Sequence, residues 1–180
     1  MSLGDSTAGA AGEGAAQIAD ARQLLASTFE RELATTRRLL AQYPQDKGEL
    51  QPHPKLKVAR ELAWLLVMEQ RLCLGAIAGT LDMATAFSPA PANFGEVVTA
   101  FDSAADEVVR AIRDSSDEQL RGTTRFFVAP QTMGDIPNIQ FLWFILHDHI
   151  HHRGQFTVYQ RMAGGTVPSI YGPSADEPWR

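Results

Sequence analysis

Apolar residues recur at three- and four-residue spacing in four separate stretches of the chain, the period of an amphipathic α-helix. In the first stretch, 15–43, Ile18, Leu25, Phe29, Leu33, Thr36 and Leu40 form a mostly apolar stripe. Pro44 stops it, and Asp46, Gly48, Pro52 and Pro54 keep the following residues irregular. The second stretch, 56–79, is centred on Leu62-Ala63-Trp64-Leu65-Leu66-Val67-Met68. It is apolar all round, which predicts a helix enclosed by neighbours on several sides. Pro89 and Pro91 mark the next connection. The third stretch, 94–113, is the cleanest amphipath: Val97, Phe101, Ala104, Val108 and Ile112 face one way, with Asp102, Asp106, Glu107 and Arg110 on polar faces. The residues Ser116 to Leu120 predict one short helical turn. Residues 123–133 are β-branched and aromatic, but a lone two-stranded piece would add little stability, so the segment is read as a loop feature.

The fourth helix is expected to start near Asp135 or Pro137, where a proline's missing N–H is harmless, and to run to about Ala163. Gly164-Gly165 ends it. The proline-rich tail that follows is expected to lie across the bundle, anchored by Tyr171 and Trp179. Four long helices without convincing strands define an all-α four-helix bundle. A single domain over 15–180 is the expected organisation, with the Ala- and Gly-rich residues 1–14 as a flexible lead-in.

Bulk properties narrow the function classes. A length of 180 residues suits one domain with a substantial core. The net charge of −5 disfavours nucleic-acid phosphate as a partner. No run of about 18 apolar residues is present, so no membrane span is expected. The opening residues lack a basic start and an apolar run, and are not read as a secretory signal. Cys73, the single cysteine, lies between Leu72 and Leu74 and is read as a small core residue; its solitude suits a reducing cytoplasm.

The candidate chemistry sits on the last helix. His147-Asp148-His149-Ile150-His151-His152 holds four of the five histidines. Residues four apart stack on one helix face, so His147 with His151, or Asp148 with His152, could grip a transition metal such as zinc, nickel or iron. A third ligand from a facing helix would complete a site inside the bundle. The alternating His-x-His-x-His pattern also occurs in metallo-β-lactamase hydrolases. That motif needs a strand-and-loop setting, whereas Phe141–Leu146 and Phe156–Met162 continue helical periodicity on both sides.

The run His151-His152-Arg153-Gly154-Gln155, then Tyr159, Arg161, Gly164 and Val167-Pro168-Ser169-Ile170-Tyr171-Gly172-Pro173-Ser174, resembles the signature of the DinB-like (YfiT-like) family. Pro52-His53-Pro54-Lys55 leading into Glu61-Leu62-Ala63-Trp64 resembles it too. The resemblance covers most of the chain from Ala15 and is most specific over the last forty or so residues. It implies an up-up-down-down four-helix bundle, often a homodimer, with a divalent metal held by three histidines. It also implies a small-molecule substrate and, in members with known roles, transfer of low-molecular-weight thiols or thiol-dependent isomerisation. Of the family's three histidine positions, one is matched by His152, one carries Asp148, and the one on the second helix carries Leu65.

Three readings of the site follow. The metal is held by an altered set, Asp148, His152 and Glu69, the last one turn beyond Leu65. Alternatively His147, His149 or His151 takes part in a shifted register. In the third reading no metal binds, Asp148 and His152 pair with each other, and the protein is a metal-free binding or stress-associated module. Glu69 has a bland reading beside these, as part of a solvated face next to Arg71. Among the neighbours, Arg153 and Gln155 are expected either to support the ligands or to make surface pairs. His53 is expected to be a loop residue. Gly154, costly inside a helix by about 1 kcal/mol relative to alanine, suggests close approach of another backbone, either in the bundle or across a dimer.

Overall fold

The computed structural model describes residues 6–180, with side chains described from residue 17 onward except at 84 and 85. Helix α1 spans Ser6–Ala41, followed by a 3-10 turn at Gln45–Lys47. Next come α2 (Ala59–Ala78), a short α3 (Met83–Ala86), α4 (Phe94–Asp114) and a short α5 (Asp117–Arg121). Strands β1 (Thr123–Ala129) and β2 (Thr132–Pro137) precede α6 (Asn138–Met162). Helix α1 takes in residues 6–14 of the stretch expected as a lead-in, where alanine, the best helix former, is frequent; residues 1–5 lie outside the described residues.

Local chemistry sets the ends. Gly79 closes α2 in the left-handed conformation (φ 68°), which glycine adopts without a Cβ penalty. The Asn93 side chain caps α4 by accepting from the Gly95 N–H at 2.7 Å. Ser116 and Gln119 form a reciprocal capping box on α5.

Four long helices, α1, α2, α4 and α6, make the bundle. Cross-helix contacts give their directions. Arg37 reaches Asp102 and Asp106 while Arg113 reaches Glu30, so α1 and α4 are antiparallel. Thr36 meets His149 and Glu32 meets Arg153, so α1 and α6 are antiparallel. Asn138 meets Ala76 and His149 meets Glu69, so α6 is antiparallel to α2 as well. Helices α1 and α2 therefore run one way, and α4 and α6 the other. The expected stripes face inward: Leu25, Phe29, Leu33, Thr36 and Leu40 on α1, and Val97, Phe101, Ala104, Val108 and Ile112 on α4, are all buried.

Residues 123–137 correct the loop expectation. They form an antiparallel hairpin, turning at Pro130-Gln131, with Gln131 at φ 59°. The hairpin does not stand alone, which is how it escapes the instability of an isolated pair of strands. Phe126 is buried edge-on to Phe141 of α6, with ring centroids 5.0 Å apart. Thr124 donates to the Asn138 side-chain oxygen at 2.7 Å, and the Asn138 amide donates on to the Ala76 and Gln119 carbonyls.

Gly154 also departs from expectation. A Cβ there would meet nothing within 4 Å, so no other part of the chain approaches it. The tail folds back over its own bundle: Arg38 pairs with Glu177, Arg161 with Asp176, and Tyr171 meets Glu32 and Arg153, whereas Trp179, expected as an anchor, is exposed and donates within the tail to Ser169. Among the described residues no helix is long and apolar enough to cross a membrane.

Candidate metal centre

The inward face of α2 repeats at Leu62, Leu66, Glu69, Cys73 and Ala76, all buried. Helical geometry thus carries Glu69 into the interior, and the expectation of a solvated face beside Arg71 is overturned: Glu69 is 2% exposed. A buried carboxylate is costly unless paired. Its partners come from α6. Glu69 Oε1 accepts from His152 Nδ1 at 2.6 Å, and Oε2 accepts from His149 Nδ1 at 2.9 Å. Asp148 lies one turn before His152, its Oδ2 3.7 Å from the same Nδ1. One ligand atom from each of Glu69, Asp148 and His152 lies within 4.8 Å of the others.

The electrostatics of the cluster are lopsided. Two carboxylates surround one imidazole, and among the described residues the ion pairs of Glu69 and Asp148 involve only histidines. The hydrogen bond to Glu69 raises the His152 pKa, against burial and the charge of Lys57. Burial raises the Asp148 carboxyl, helped by the charge of Glu69 and opposed by His152. Carboxylate oxygens and an imidazole nitrogen are an ordinary donor set for zinc and neighbouring divalent ions. Among the described residues no lysine or arginine ion-pairs with these two carboxylates, and a cation would supply positive charge between them. The donor set therefore fits a divalent metal.

The remaining histidines divide by face. His149 is 2% exposed and makes its second contact to Thr36 Oγ1, 2.9 Å from Nε2. His147 and His151 are exposed; His151 meets the Gln155 amide at 2.8 Å. His53 is a loop residue whose ring accepts from the Lys55 N–H at 3.1 Å.

Leu65 is partly exposed and lines a groove of ≈ 240 Å³ with Lys57, Trp64, Met68 and Phe87 among others. Cys73 is fully buried, and burial, with the charge of Glu69, pushes its thiol pKa well up.

The family model of the DinB family matches residues 17–179. The chain belongs to the DinB family.

Relatives of this DinB-family chain are distant. YrdA of Bacillus subtilis (strain 168), an uncharacterized protein, is 33% identical over 89 residues, which cover 49% of this chain and 51% of YrdA. The match thus spans about half the length of that relative. Among solved structures, a DinB-like protein from Bacillus cereus ATCC 10987 superposes with a TM-score of 0.68 at 23% identity, over 82% of this chain and 95% of that one. A DinB-like protein from Bacillus subtilis, YjoA, gives 0.64 at 17%, over 81% and 96%. These two likenesses concern the fold.

Sequence reasoning for this DinB-family chain brought Glu69, Asp148 and His152 together but missed what surrounds them. Arg153 is 1% exposed, neither a surface pair nor a support for the ligands. It donates to the Glu32 carbonyl at 3.0 Å and carboxylate at 2.8 Å, and to the Tyr171 hydroxyl at 2.7 Å. Burial pushes the Glu32 pKa up, but hydrogen bonds from Tyr171 and Arg153 outweigh it and leave the carboxyl below its usual value. A signal existed: the apolar period of α6 through Leu142, Leu146 and Phe156 passes through His149 and Arg153.

Proposed function

We propose that this DinB-family chain is a divalent-metal-dependent enzyme acting on a small molecule, with Glu69, Asp148 and His152 as an altered ligand set. The observation carrying this reading is the meeting of three ligand atoms within 4.8 Å around a buried carboxylate whose ion pairs, among the described residues, are with histidines. When bound, a divalent cation lowers the pKa of a thiol or water brought to it and so supplies a nucleophile at neutral pH. The chemistry that follows is thiol transfer or a related hydrolysis.

The chain's own residues divide the work. Glu69 fixes His152 through the Oε1 contact and orients its Nδ1 towards the carboxylates. Asp148, half-buried, offers the carboxylate nearer to solvent. The groove beside Leu65, lined by Trp64, Met68, Phe87 and Lys57 among others, suits an electrophile with an apolar body. Cys73 is sealed in the core, so the thiol is a soluble one.

A second reading, a metal-free binding module, draws on a different observation. Both oxygens of Glu69 already have imidazole partners, so the cluster is satisfied as it stands. Zinc binding by competition against a chromophoric chelator separates the two. Tight binding lost in His152→Ala supports the metalloenzyme. Equal, weak binding in both proteins supports the binding module.

A further inference from the structure

We propose that His149, braced by Thr36, is a positioning residue that sets how Glu69 faces His152 and Asp148 and thereby tunes the cation affinity of the centre. This rests on the metal reading above.

The geometry is a three-helix chain of contacts. Thr36 on α1 meets His149 Nε2 at 2.9 Å, and His149 on α6 meets Glu69 Oε2 on α2 at 2.9 Å. Thr36 and His149 are 0% and 2% exposed, so water does not compete for either contact. Phe101 of α4 stacks on the imidazole, centroids 6.0 Å apart and planes inclined by 26°. All four bundle helices thus hold one ring.

The direction of the hydrogen bonds follows from the partners. A carboxylate oxygen only accepts, so His149 Nδ1 carries the hydrogen towards Glu69. Nε2 faces the Thr36 hydroxyl, which also donates to the Glu32 carbonyl at 3.1 Å. Thr36 therefore braces the far side of the ring while Nδ1 reaches Oε2.

Holding Oε2 has consequences for Oε1. The terminal torsion of a glutamate is broad, so a carboxylate anchored at neither oxygen would sample many orientations. With Oε2 tied, Oε1 stays at 2.6 Å from His152 Nδ1, on the side of Asp148. Partners of this kind behind a ligating group typically change metal affinity by about 10–100-fold. His149 itself lies outside the three residues whose ligand atoms converge.

Thr36→Val tests this without touching a ligand, since valine keeps the shape and removes only the hydroxyl; Thr36→Ser keeps the hydroxyl. Two readouts are taken on the full chain: zinc affinity by chelator competition, and the His149 Nδ1 nitrogen shift of the metal-free protein, which reports its hydrogen bond to Glu69. We expect Thr36→Val to weaken zinc by about 10-fold and Thr36→Ser to restore most of it. We also expect Thr36→Val to loosen the His149 ring and move its Nδ1 shift as the hydrogen bond to Glu69 lengthens. Wild-type zinc affinity and an unchanged His149 Nδ1 shift in Thr36→Val would overturn the inference while leaving the metal reading intact. If wild type binds no zinc, the metal reading and the affinity claim fall together, and the Nδ1 shift decides separately whether Thr36 orders His149. His149→Gln is the second variant should Thr36→Val fold poorly: wild-type zinc affinity in it overturns the positioning role.

Discussion

Arg153 on α6 and Glu32 on α1 form an ion pair at 2.8 Å with 1% and 3% of their side chains exposed. Tyr171, from the tail, completes the pair by donating to the same Glu32 oxygen at 2.6 Å. The tail is thus tied into the bundle through a buried charge.

Removing one member leaves the other buried and uncompensated. Glu32→Gln is expected to destabilise the fold by about 3–5 kcal/mol at neutral pH. The Glu32 carboxyl is held below its ordinary value of 4.5, so its contribution is fully present above that value. It is lost as pH falls through the lowered folded-state value. Urea denaturation from pH 7 down to pH 3 should show the gap between wild type and Glu32→Gln narrowing on the acid side. A gap independent of pH would mean that the carboxylate charge is not what stabilises.

The hairpin gives an internal contrast. Phe126 is 8% exposed and packed on Phe141, whereas its neighbour Phe127 is 50% exposed. Phe126→Ala should cost about 3 kcal/mol and Phe127→Ala well under 1 kcal/mol, read from denaturation midpoints. Equal costs would contradict the docking of β1 on α6.

Cys73 offers a chemical check on the core. It is fully buried and its thiol pKa is raised, so little thiolate forms and reagents cannot reach it. A disulfide reagent should label the native protein very slowly and the unfolded protein at once. Rapid native labelling would place a reactive thiol beside the centre and remove the need for a soluble one.

Most of the bundle was legible because its signal is periodic. The α4 pattern of Val97, Phe101, Ala104, Val108 and Ile112 is wholly buried, and the prolines and glycines that break the chain fall between elements. The hairpin was less legible because its stability comes from elsewhere: Phe126 and Thr124 gain from Phe141 and Asn138, which a local window does not contain. Glu69 was named from helical spacing, but its burial depended on two histidines some eighty residues away. Glu32 was passed over, and Arg153 and His149 were given other partners, for one reason. Each is a polar residue on an apolar stripe, and only its partner on another helix shows how it can be there. At Gly154 the bundle supplies no close backbone, which removes the first of its two expected neighbours.

The most direct test of the central claim is metal content per chain, measured by elemental mass spectrometry on protein purified without a histidine tag. The account expects close to one equivalent of a divalent transition metal in wild type, and its loss in His152→Ala and Glu69→Gln. A wild-type value near zero that stays there after zinc is offered would contradict it, and would leave Glu69, His149 and His152 as a hydrogen-bonded cluster that needs no ion.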